Sequence, residues 1–211
     1  MDEDARPADI ELAAMLSSKI CHDVIGPIGA ICNSLEILDM DHDVDAKTSA
    51  LDVIRNVSEQ ASARLQFARY AFGATGAVGS LIDLGAAERV SRGLIGHGKH
   101  KIGWRGPSGH MAKDKVKLLL NLVASGLASL PRGGDLMVLI TGTLETPTFL
   151  IRCRGVGARP PQHLAAFVAR KPPPVDPLTV QAYYTYRLAE PARMRLEILR
   201  DGPDILLSAA S

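Results

Sequence analysis

Two long runs of apolar residues at helical spacing, separated by a short acidic segment, dominate the N-terminal part of the chain. The residues of the first run recur every three or four positions: Leu16, Ile20, Val24, Ile28, Ile31, Leu35 and Leu38. Those of the second run share one helix face: Leu51, Ile54, Ala61, Leu65, Ala68 and Phe72. The aspartate-rich segment 39–45 is typical of a turn. Because a short connection forces two long helices to lie antiparallel, the sequence predicts a helical hairpin.

Capping residues set the expected bounds of the hairpin. We expect the first helix to begin at an N-cap, Asp9, and to run to about Asp39, a length of roughly 45 Å. Asp45 is a plausible cap for the second helix, which should end near Gly73. The expected domains are a flexible N-terminus over residues 1–8, the hairpin over 9–74, a glycine-rich linker over 75–80 and a second domain over 81–211.

A hairpin of this kind cannot bury both of its apolar faces by itself. In a two-fold homodimer, two hairpins form a four-helix bundle in which these faces cover one another. The alternative is that the hairpin packs against the remainder of its own chain. We expect the homodimer, as the more economical arrangement.

His22 lies on the first helix, opposite the apolar face. At about 100° per residue, its imidazole points away from that face and into solvent. Small or polar residues share its side of the helix, including Gly26, Gly29 and Asn33, so a partner can approach closely. The sequence therefore predicts an accessible histidine in a surface suited to close contact.

Pro27 and the two glycines weaken the helix next to His22. Relative to alanine, the proline costs about 3 kcal/mol and each glycine about 1 kcal/mol. Pro27 also cannot donate to the carbonyl of Asp23, so we expect a bend one turn beyond His22. This loss of local stability indicates a function; the alternative is an ordinary surface histidine on a helix that tolerates a proline.

The composition argues against several classes of partner. The chain has 211 residues, of which 46% are hydrophobic and 22% charged, and a net charge of +1. These values are typical of a globular protein without the basic surplus of nucleic-acid or membrane-surface binders. The N-terminal segment is acidic and no uncharged apolar run reaches 18 residues, so we expect neither a secretory signal nor a membrane anchor.

The cysteines and histidines give no pattern of metal ligands. Cys21, Cys32 and Cys153 are odd in number and widely spaced, which indicates a reducing cytoplasm rather than disulfides or a zinc site. A second set of candidate ligands lacks a helical i, i+4 pair and neighbouring cysteines. We interpret these residues as loop histidines: His97, His100 and His110.

Helical and strand patterns alternate after residue 80. The expected helices are 81–94, 112–130, 162–171 and 177–188. The expected strands are 100–105, 135–142, 147–153, 193–199 and 204–208. This mixture predicts an α/β sandwich of about 130 residues, so the chain as a whole belongs to the α+β class.

The hairpin carries the run His-Asp-Val-Ile-Gly-Pro-Ile at residues 22–28 and is followed by a small α/β unit. This arrangement resembles the dimerisation and phosphotransfer domain and the ATP-binding domain of bacterial sensor histidine kinases. The resemblance covers the chain from about residue 9. It implies a GHKL-like, Bergerat-type sandwich over residues 81–211.

The ATP-binding elements are altered where their chemistry lies. Segment 120–134 matches the N-box helix and turn, but Ser125 replaces the metal-holding asparagine and Ala128 the lysine. Cys153 stands where a carboxylate normally accepts from the adenine amino group, a role that a thiol cannot fill. Segment 178–188 contains no glycine and so offers no backbone nest for phosphates. The resemblance therefore implies no binding of ATP and no metal site in this chain.

A kinase-like chain with an intact acceptor histidine and an altered ATP site resembles the ChpT type of histidine phosphotransferase, the middle member of a bacterial cell-cycle phosphorelay. The resemblance implies that phosphate arrives from the receiver domain of a CckA-like hybrid kinase. It leaves to the aspartates of CtrA-like and CpdR-like response regulators. The receiver would supply its own aspartate and Mg²⁺. Nucleic acids and membranes are not expected partners.

Within this resemblance, we expect His22 to be the nucleophile, because imidazole is substantially neutral near pH 7 and forms a transferable phosphoramidate. Asp23 should orient or deprotonate the other ring nitrogen. Among the cations, Arg64 resembles the family position that helps to hold the phosphoryl group, and solvated surface arginines are the alternative. The full set of candidate contacts with the phosphoryl group or the partner is Lys19, Ile25, Gly26, Gly29, Asn33, Arg64 and Arg69.

Two other functions stay open at this point. The first alternative is an active ATP-dependent histidine kinase with a divergent nucleotide pocket. The second is a non-catalytic dimeric scaffold that binds receiver domains. In the scaffold, His22 is incidental.

Overall fold

The computed structural model describes residues 7–40, 43–73, 79–96 and 98–211. Its helices are α1 (Asp9–Met40), α2 (Val44–Ala71), α3 (Leu84–Ile95), α4 (Lys113–Ala128), α5 (Gln162–Val168) and α6 (Val180–Ala192). Its strands are β1 (Leu81–Asp83), β2 (His100–Arg105), β3 (His110–Ala112), β4 (Gly134–Gly142), β5 (Pro147–Arg154), β6 (Arg195–Asp201) and β7 (Asp204–Ala210). The α+β class is confirmed, with an N-terminal helical hairpin and a C-terminal sheet domain.

Parts of four predicted segments lie outside the described residues. These parts are residues 1–6 of the predicted N-terminus, residues 41–42 of the predicted turn, residue 74 of the predicted hairpin and residues 75–78 of the predicted linker. His97 lies outside them as well.

The hairpin consists of α1 and α2, and its caps differ from those predicted. Asp43, not Asp45, is the N-cap of α2: its backbone is extended, and its carboxylate accepts from the N–H of Asp45, which is already helical. Asp9 is the first helical residue of α1 rather than its cap, and its charge lies at the positive end of the helix dipole. The second helix ends at Ala71, two residues before Gly73.

The C-terminal domain is built on a five-stranded sheet in the order β2-β4-β5-β7-β6. β2 pairs in parallel with β4, and the remaining pairs are antiparallel. Side chains on one face of the sheet are buried beneath α4, α5 and α6. Central to this layer is α4, in which every residue from Val116 to Val123 is buried. The predicted two-layer sandwich follows from this packing.

Some bounds predicted for the C-terminal domain were wrong. Leu81–Asp83 is not helical: it forms the short strand β1, paired with β3, and Asp83 then caps α3 through its carboxylate. His110 lies in β3 and His100 in β2, so neither is a loop histidine. α5 ends at Val168 rather than Lys171, and α6 covers 180–192 rather than 177–188.

The two units meet at the C-terminal end of α2. The side-chain amide of Asn121 on α4 donates to the carbonyl of Ala71 at 3.1 Å. The ammonium of Lys117 lies 3.5 Å from the carbonyl of Phe72, where its positive charge faces the negative end of the α2 dipole. Burial lowers the pKa of this lysine below its usual value. Side chains of α4 thus satisfy main-chain acceptors that the end of α2 leaves open.

Part of the hairpin packs against its own chain and part does not. Phe67 and Ala71, near the end of α2, are buried in the core of the C-terminal domain. Other large apolar side chains of both helices are exposed: Ile28, Leu35, Ile37, Leu51, Val53 and Leu65. The alternative to a dimer therefore holds for the C-terminal end of α2, and the homodimer stays a prediction for the rest. No helix within the described ranges combines the length and apolar character needed to cross a membrane.

Candidate functional site

The imidazole of His22 projects from α1 into solvent. Its side chain is 89% exposed, as its position opposite the apolar face of the helix predicts. The helix continues through Pro27 without interruption. A partner can therefore reach the imidazole of His22.

The surface next to His22 is open. A Cβ atom added at Gly26 or Gly29 would meet no other part of the described chain within 4 Å. Ile25, between these glycines and His22, is 70% exposed, and Asn33 is exposed as well. Packing within the chain thus gives no reason for glycine at these two positions.

Asp23 makes its close contact with Lys19 rather than with the imidazole. The ammonium of Lys19 lies 2.9 Å from a carboxylate oxygen of Asp23, one helical turn away. The distance from Asp23 Oδ1 to His22 Nδ1 is 3.9 Å, which is too long for a hydrogen bond. The structure therefore places Asp23 beside the ring without an orienting hydrogen bond to it.

Arg64 joins α2 to α1 next to His22. Its Nη1 donates to the main-chain carbonyl of Asp23 at 2.8 Å. In a regular helix this carbonyl would accept from the residue four positions later, which is Pro27 and has no N–H. Arg64 thus contacts the backbone of the residue that follows His22.

Arg69 does not take part in the contacts of Lys19, Asp23 and Arg64. It lies five residues after Arg64, or about 7.5 Å along a helix. Its guanidinium is placed over the ring of Tyr70, 5.4 Å from the centroid. Of the two arginines predicted as contacts, the structure brings Arg64 alone to the turn of His22.

The residues at the nucleotide-site positions of the C-terminal domain are packed into its core. Cys153 is fully buried, and burial raises the pKa of its thiol to about 12. It lies beneath α4 so closely that a Cβ added at Gly126 would approach its sulfur to 3.2 Å. A neutral, enclosed thiol does not fit the role of an adenine acceptor.

The residues at the metal and phosphate positions are likewise engaged in packing. Ser125 is buried, and its hydroxyl donates to the carbonyl of Asn121 at 2.8 Å. The ring of Tyr183 on α6 is fully buried, with its centroid 5.6 Å from that of Phe167. The Tyr183 hydroxyl accepts from Arg187 at 2.8 Å. These side chains do not fit ATP and its magnesium ion, and no cluster of metal-ligating side chains occurs among the residues that the structure describes.

A cavity of about 1040 Å³ lies elsewhere in the domain, between α5, α6 and the edge strand β6. Its charged lining includes Arg170, Glu190 and Glu197. None of the predicted site residues lines it, so this cavity adds nothing to the chemistry of His22.

Comparison with known proteins gives consistent results. Residues 84–204 match the family described as the histidine phosphotransferase C-terminal domain. The protein phosphotransferase ChpT of Brucella abortus (strain 2308) is 42% identical over 202 residues, which are 95% of each chain. The chain belongs to the ChpT-type histidine phosphotransferase family.

A solved structure of a bacterial phosphotransferase agrees with this membership. It superposes with a TM-score of 0.90 at 41% identity, and the match covers 97% of this chain and 98% of the other. The similarity therefore includes both the hairpin and the sheet domain of this ChpT-type phosphotransferase.

The bond from Arg64 to the Asp23 carbonyl is the site feature that the sequence reasoning missed. The unpaired acceptor was predictable from the sequence, because a proline four residues after Asp23 leaves that carbonyl without its helical donor. The donor lies 41 residues away on the other helix of this family member, and only the hairpin register brings it into place.

Proposed function

We propose that this chain is a histidine phosphotransferase of a multistep phosphorelay, with His22 as the residue that carries the phosphoryl group. The observation that supports it most directly is the 89% exposed imidazole beside two glycines that the chain itself leaves uncovered. Membership of the phosphotransferase family supplies the reaction class.

In the proposed reaction, a ring nitrogen of His22 attacks the phosphorus of a receiver's aspartyl phosphate in line with the bond that breaks. A nitrogen–phosphorus bond forms, and the receiver's carboxylate leaves with the bonding electron pair. The reverse exchange, with the aspartate of another receiver, returns the imidazole to its free state. Asp23 is placed to accept a proton from the other ring nitrogen if its carboxylate moves closer to Nδ1 than 3.9 Å.

The partners proposed here are those that the resemblance to the ChpT type implies. The donor is the receiver domain of a CckA-like hybrid kinase, and the acceptors are CtrA-like and CpdR-like regulators of the bacterial cell cycle. Each receiver brings the Mg²⁺ that neutralises the moving group, so the chain needs no metal site. The docking surface is centred on Ile25, Gly26 and Gly29, with Asn33 at its margin and α2 alongside.

The proposal includes a homodimer and excludes ATP as a phosphate source. Exposed apolar residues of α1 and α2 would be covered by a second hairpin in a four-helix bundle. The buried Cys153 and Tyr183 support a GHKL-like domain that no longer binds nucleotide. A reducing cytoplasm is the proposed location, and the odd, widely spaced cysteines support it.

The test is transfer of radiolabelled phosphate from a phosphorylated receiver domain to the purified full chain. We expect a label that acid removes and base does not, as for phosphohistidine. His22→Ala should abolish it, and His163→Ala, which removes another exposed histidine, should retain it. A labelled His22→Ala chain would refute the assignment. Labelling of the chain by ATP alone would support a kinase, and receiver binding without label would support a scaffold.

A further inference from the structure

The carbonyl oxygen of Asp23 is an acceptor that α1 cannot satisfy. The residue four positions later is Pro27, which lacks an N–H, and yet the helix continues through it. Arg64 of α2 supplies the missing donor, with Nη1 at 2.8 Å from the oxygen. The donor is a charged guanidinium, and the bond lies at an exposed position of the hairpin.

We infer that Arg64 is a positioning residue for phosphoryl transfer, which fixes the turn carrying His22 by donating to the carbonyl that Pro27 leaves free. The inference rests on the proposed function. It gives Arg64 a role through the main chain of α1 rather than through contact with the phosphoryl group.

The contacts around the turn fit this role. The carboxylate of Asp23 is held by Lys19, within α1, and its carbonyl is held by Arg64, from α2. The residue next to His22 is therefore fixed at both its side chain and its main chain. The imidazole itself stays free in solvent.

Fixing this turn matters because phosphoryl transfer depends on position. The nucleophile must approach the phosphorus in line, and a misplacement of about 1 Å can cost about 100-fold in rate. A helix that lacks one hydrogen bond at a proline has additional freedom there. Tying its free carbonyl to α2 restricts that freedom, so its loss should lower the rate of the chemical step rather than weaken docking.

The test combines two substitutions in the full chain. The probe is a receiver domain phosphorylated with acetyl phosphate, mixed with excess chain in single-turnover experiments. Arg64→Ala should lower the maximal transfer rate about tenfold. The half-saturating concentration should stay within about twofold, since Arg64 is not asked to bind the receiver. Arg64→Lys, which keeps a charged donor, should recover most of the rate.

The Arg64→Ala substitution is also measured in a Pro27→Ala chain. The restored N–H at position 27 satisfies the Asp23 carbonyl without Arg64 in that chain. In that background, Arg64→Ala should cost less than about twofold. An equal cost in both backgrounds would mean that Arg64 acts on the phosphoryl group directly and would overturn the inference. A raised half-saturating concentration would make Arg64 a docking residue and would overturn it as well.

Amide hydrogen exchange tests the same anchor without any partner. Arg64→Ala should accelerate exchange of the α1 amides at residues 24, 25, 26 and 28 by about fivefold or more, and Arg64→Lys should restore their protection. Unchanged exchange would refute the anchor. If the wild-type chain accepts no phosphate, the proposed function fails, while this measurement still decides whether Arg64 holds the turn.

Discussion

Around His22 the hairpin leaves space that its own chain does not fill, whereas the C-terminal domain packs side chains into the positions where a nucleotide site is expected. Gly26 and Gly29 have no neighbour within 4 Å of an added Cβ, but Gly126 would drive a Cβ into Leu136 and Cys153. The glycines of the two regions therefore differ in their surroundings, which are open on α1 and crowded on α4. On α1, glycine leaves the surface beside His22 open, and on α4 it lets the helix approach the sheet.

The two regions differ in what their residues contribute to stability. The hairpin accepts poor helix formers and exposed apolar side chains, both of which reduce its stability as an isolated unit. The C-terminal domain shows the reverse, with a fully buried Tyr183 and Cys153. Substitutions in the two regions should therefore have opposite effects on stability and on transfer.

The largest expected effect concerns the exposed apolar residues of the hairpin. Leu35 is 48% exposed and Leu51 42% exposed, on the two helices near their connection. Replacing both with aspartate should weaken the proposed dimer about a thousandfold, or about 4 kcal/mol, because the charges would be buried in the bundle. Sedimentation equilibrium measures this change.

Val156→Asp is the matched control, since Val156 is an exposed apolar residue of the C-terminal domain. Its mass in solution should equal that of the wild type. A wild-type chain that is monomeric at high micromolar concentration would remove the dimer from the proposal.

The second prediction puts back the carboxylate expected at the adenine position. Cys153→Asp should lower the free energy of unfolding by about 3 kcal/mol at pH 7, because it buries an unpaired charge in the core. It should not create ATP binding, since the space around it is already occupied. Urea unfolding and an ATP titration by calorimetry measure the two outcomes.

Cys153→Ala serves as the comparison, with a loss of about 1 kcal/mol for the smaller side chain. A stable Cys153→Asp chain that binds ATP at micromolar concentration would mean that the region is an open site rather than a closed core.

The third prediction separates stability from transfer at the docking surface. Gly29→Ala should raise the free energy of unfolding by about 1 kcal/mol, because alanine is the better helix former and its Cβ meets no other part of the chain. The same methyl group should slow transfer from a phosphorylated receiver about tenfold by obstructing close approach. Thermal unfolding and single-turnover transfer measure these changes.

Gly93→Ala is the control at an exposed position of α3, where an added Cβ makes an ordinary contact with Ala63 on α2. It should gain similar stability and transfer at the wild-type rate. Should Gly29→Ala transfer as fast as Gly93→Ala, the open surface would have no part in docking.

The smallest effect is a dependence of stability on alkaline pH. Burial raises the pKa of Cys153 in the folded state to about 12, so the unfolded chain loses this proton first as the pH rises. Stability should therefore fall by about 1 kcal/mol between pH 8 and pH 10 through this group. Urea unfolding of the wild type and of Cys153→Ala across this range isolates the contribution.

Thiol labelling of the native chain gives an independent check of the same burial. Cys21 and Cys32 are exposed and should react rapidly with a thiol reagent, while Cys153 should react only on unfolding. Rapid native labelling of Cys153 would contradict the closed packing of this region.

Local signals in the sequence were enough to predict the hairpin and the exposure of His22. Spacing of apolar residues determines which helix face is covered, and a cluster of aspartates marks the turn. The choice between Asp43 and Asp45 as cap depended on backbone conformation, which residue type alone does not reveal. For the same reason, the exact ends of α5 and α6 were not predictable.

Features that depend on distant contacts were missed. Leu81–Asp83 is a strand because it pairs with β3, thirty residues later, and three residues carry too little pattern to show this. The donor of the Asp23 carbonyl is 41 residues away. Sequence identified an acceptor without a partner, and only the assembled hairpin shows that Arg64 is that partner.

The bonds from Asn121 and Lys117 to the last carbonyls of α2 have a consequence for any partner that touches both units. Turning the sheet domain relative to the hairpin would first have to break the buried Asn121 bond and the part-buried Lys117 contact. Binding of such a partner would therefore lose little conformational entropy from this chain, because the two units already have a fixed relative orientation. The affinity of that partner would then depend on how well its surface complements one fixed arrangement of the hairpin and the sheet domain.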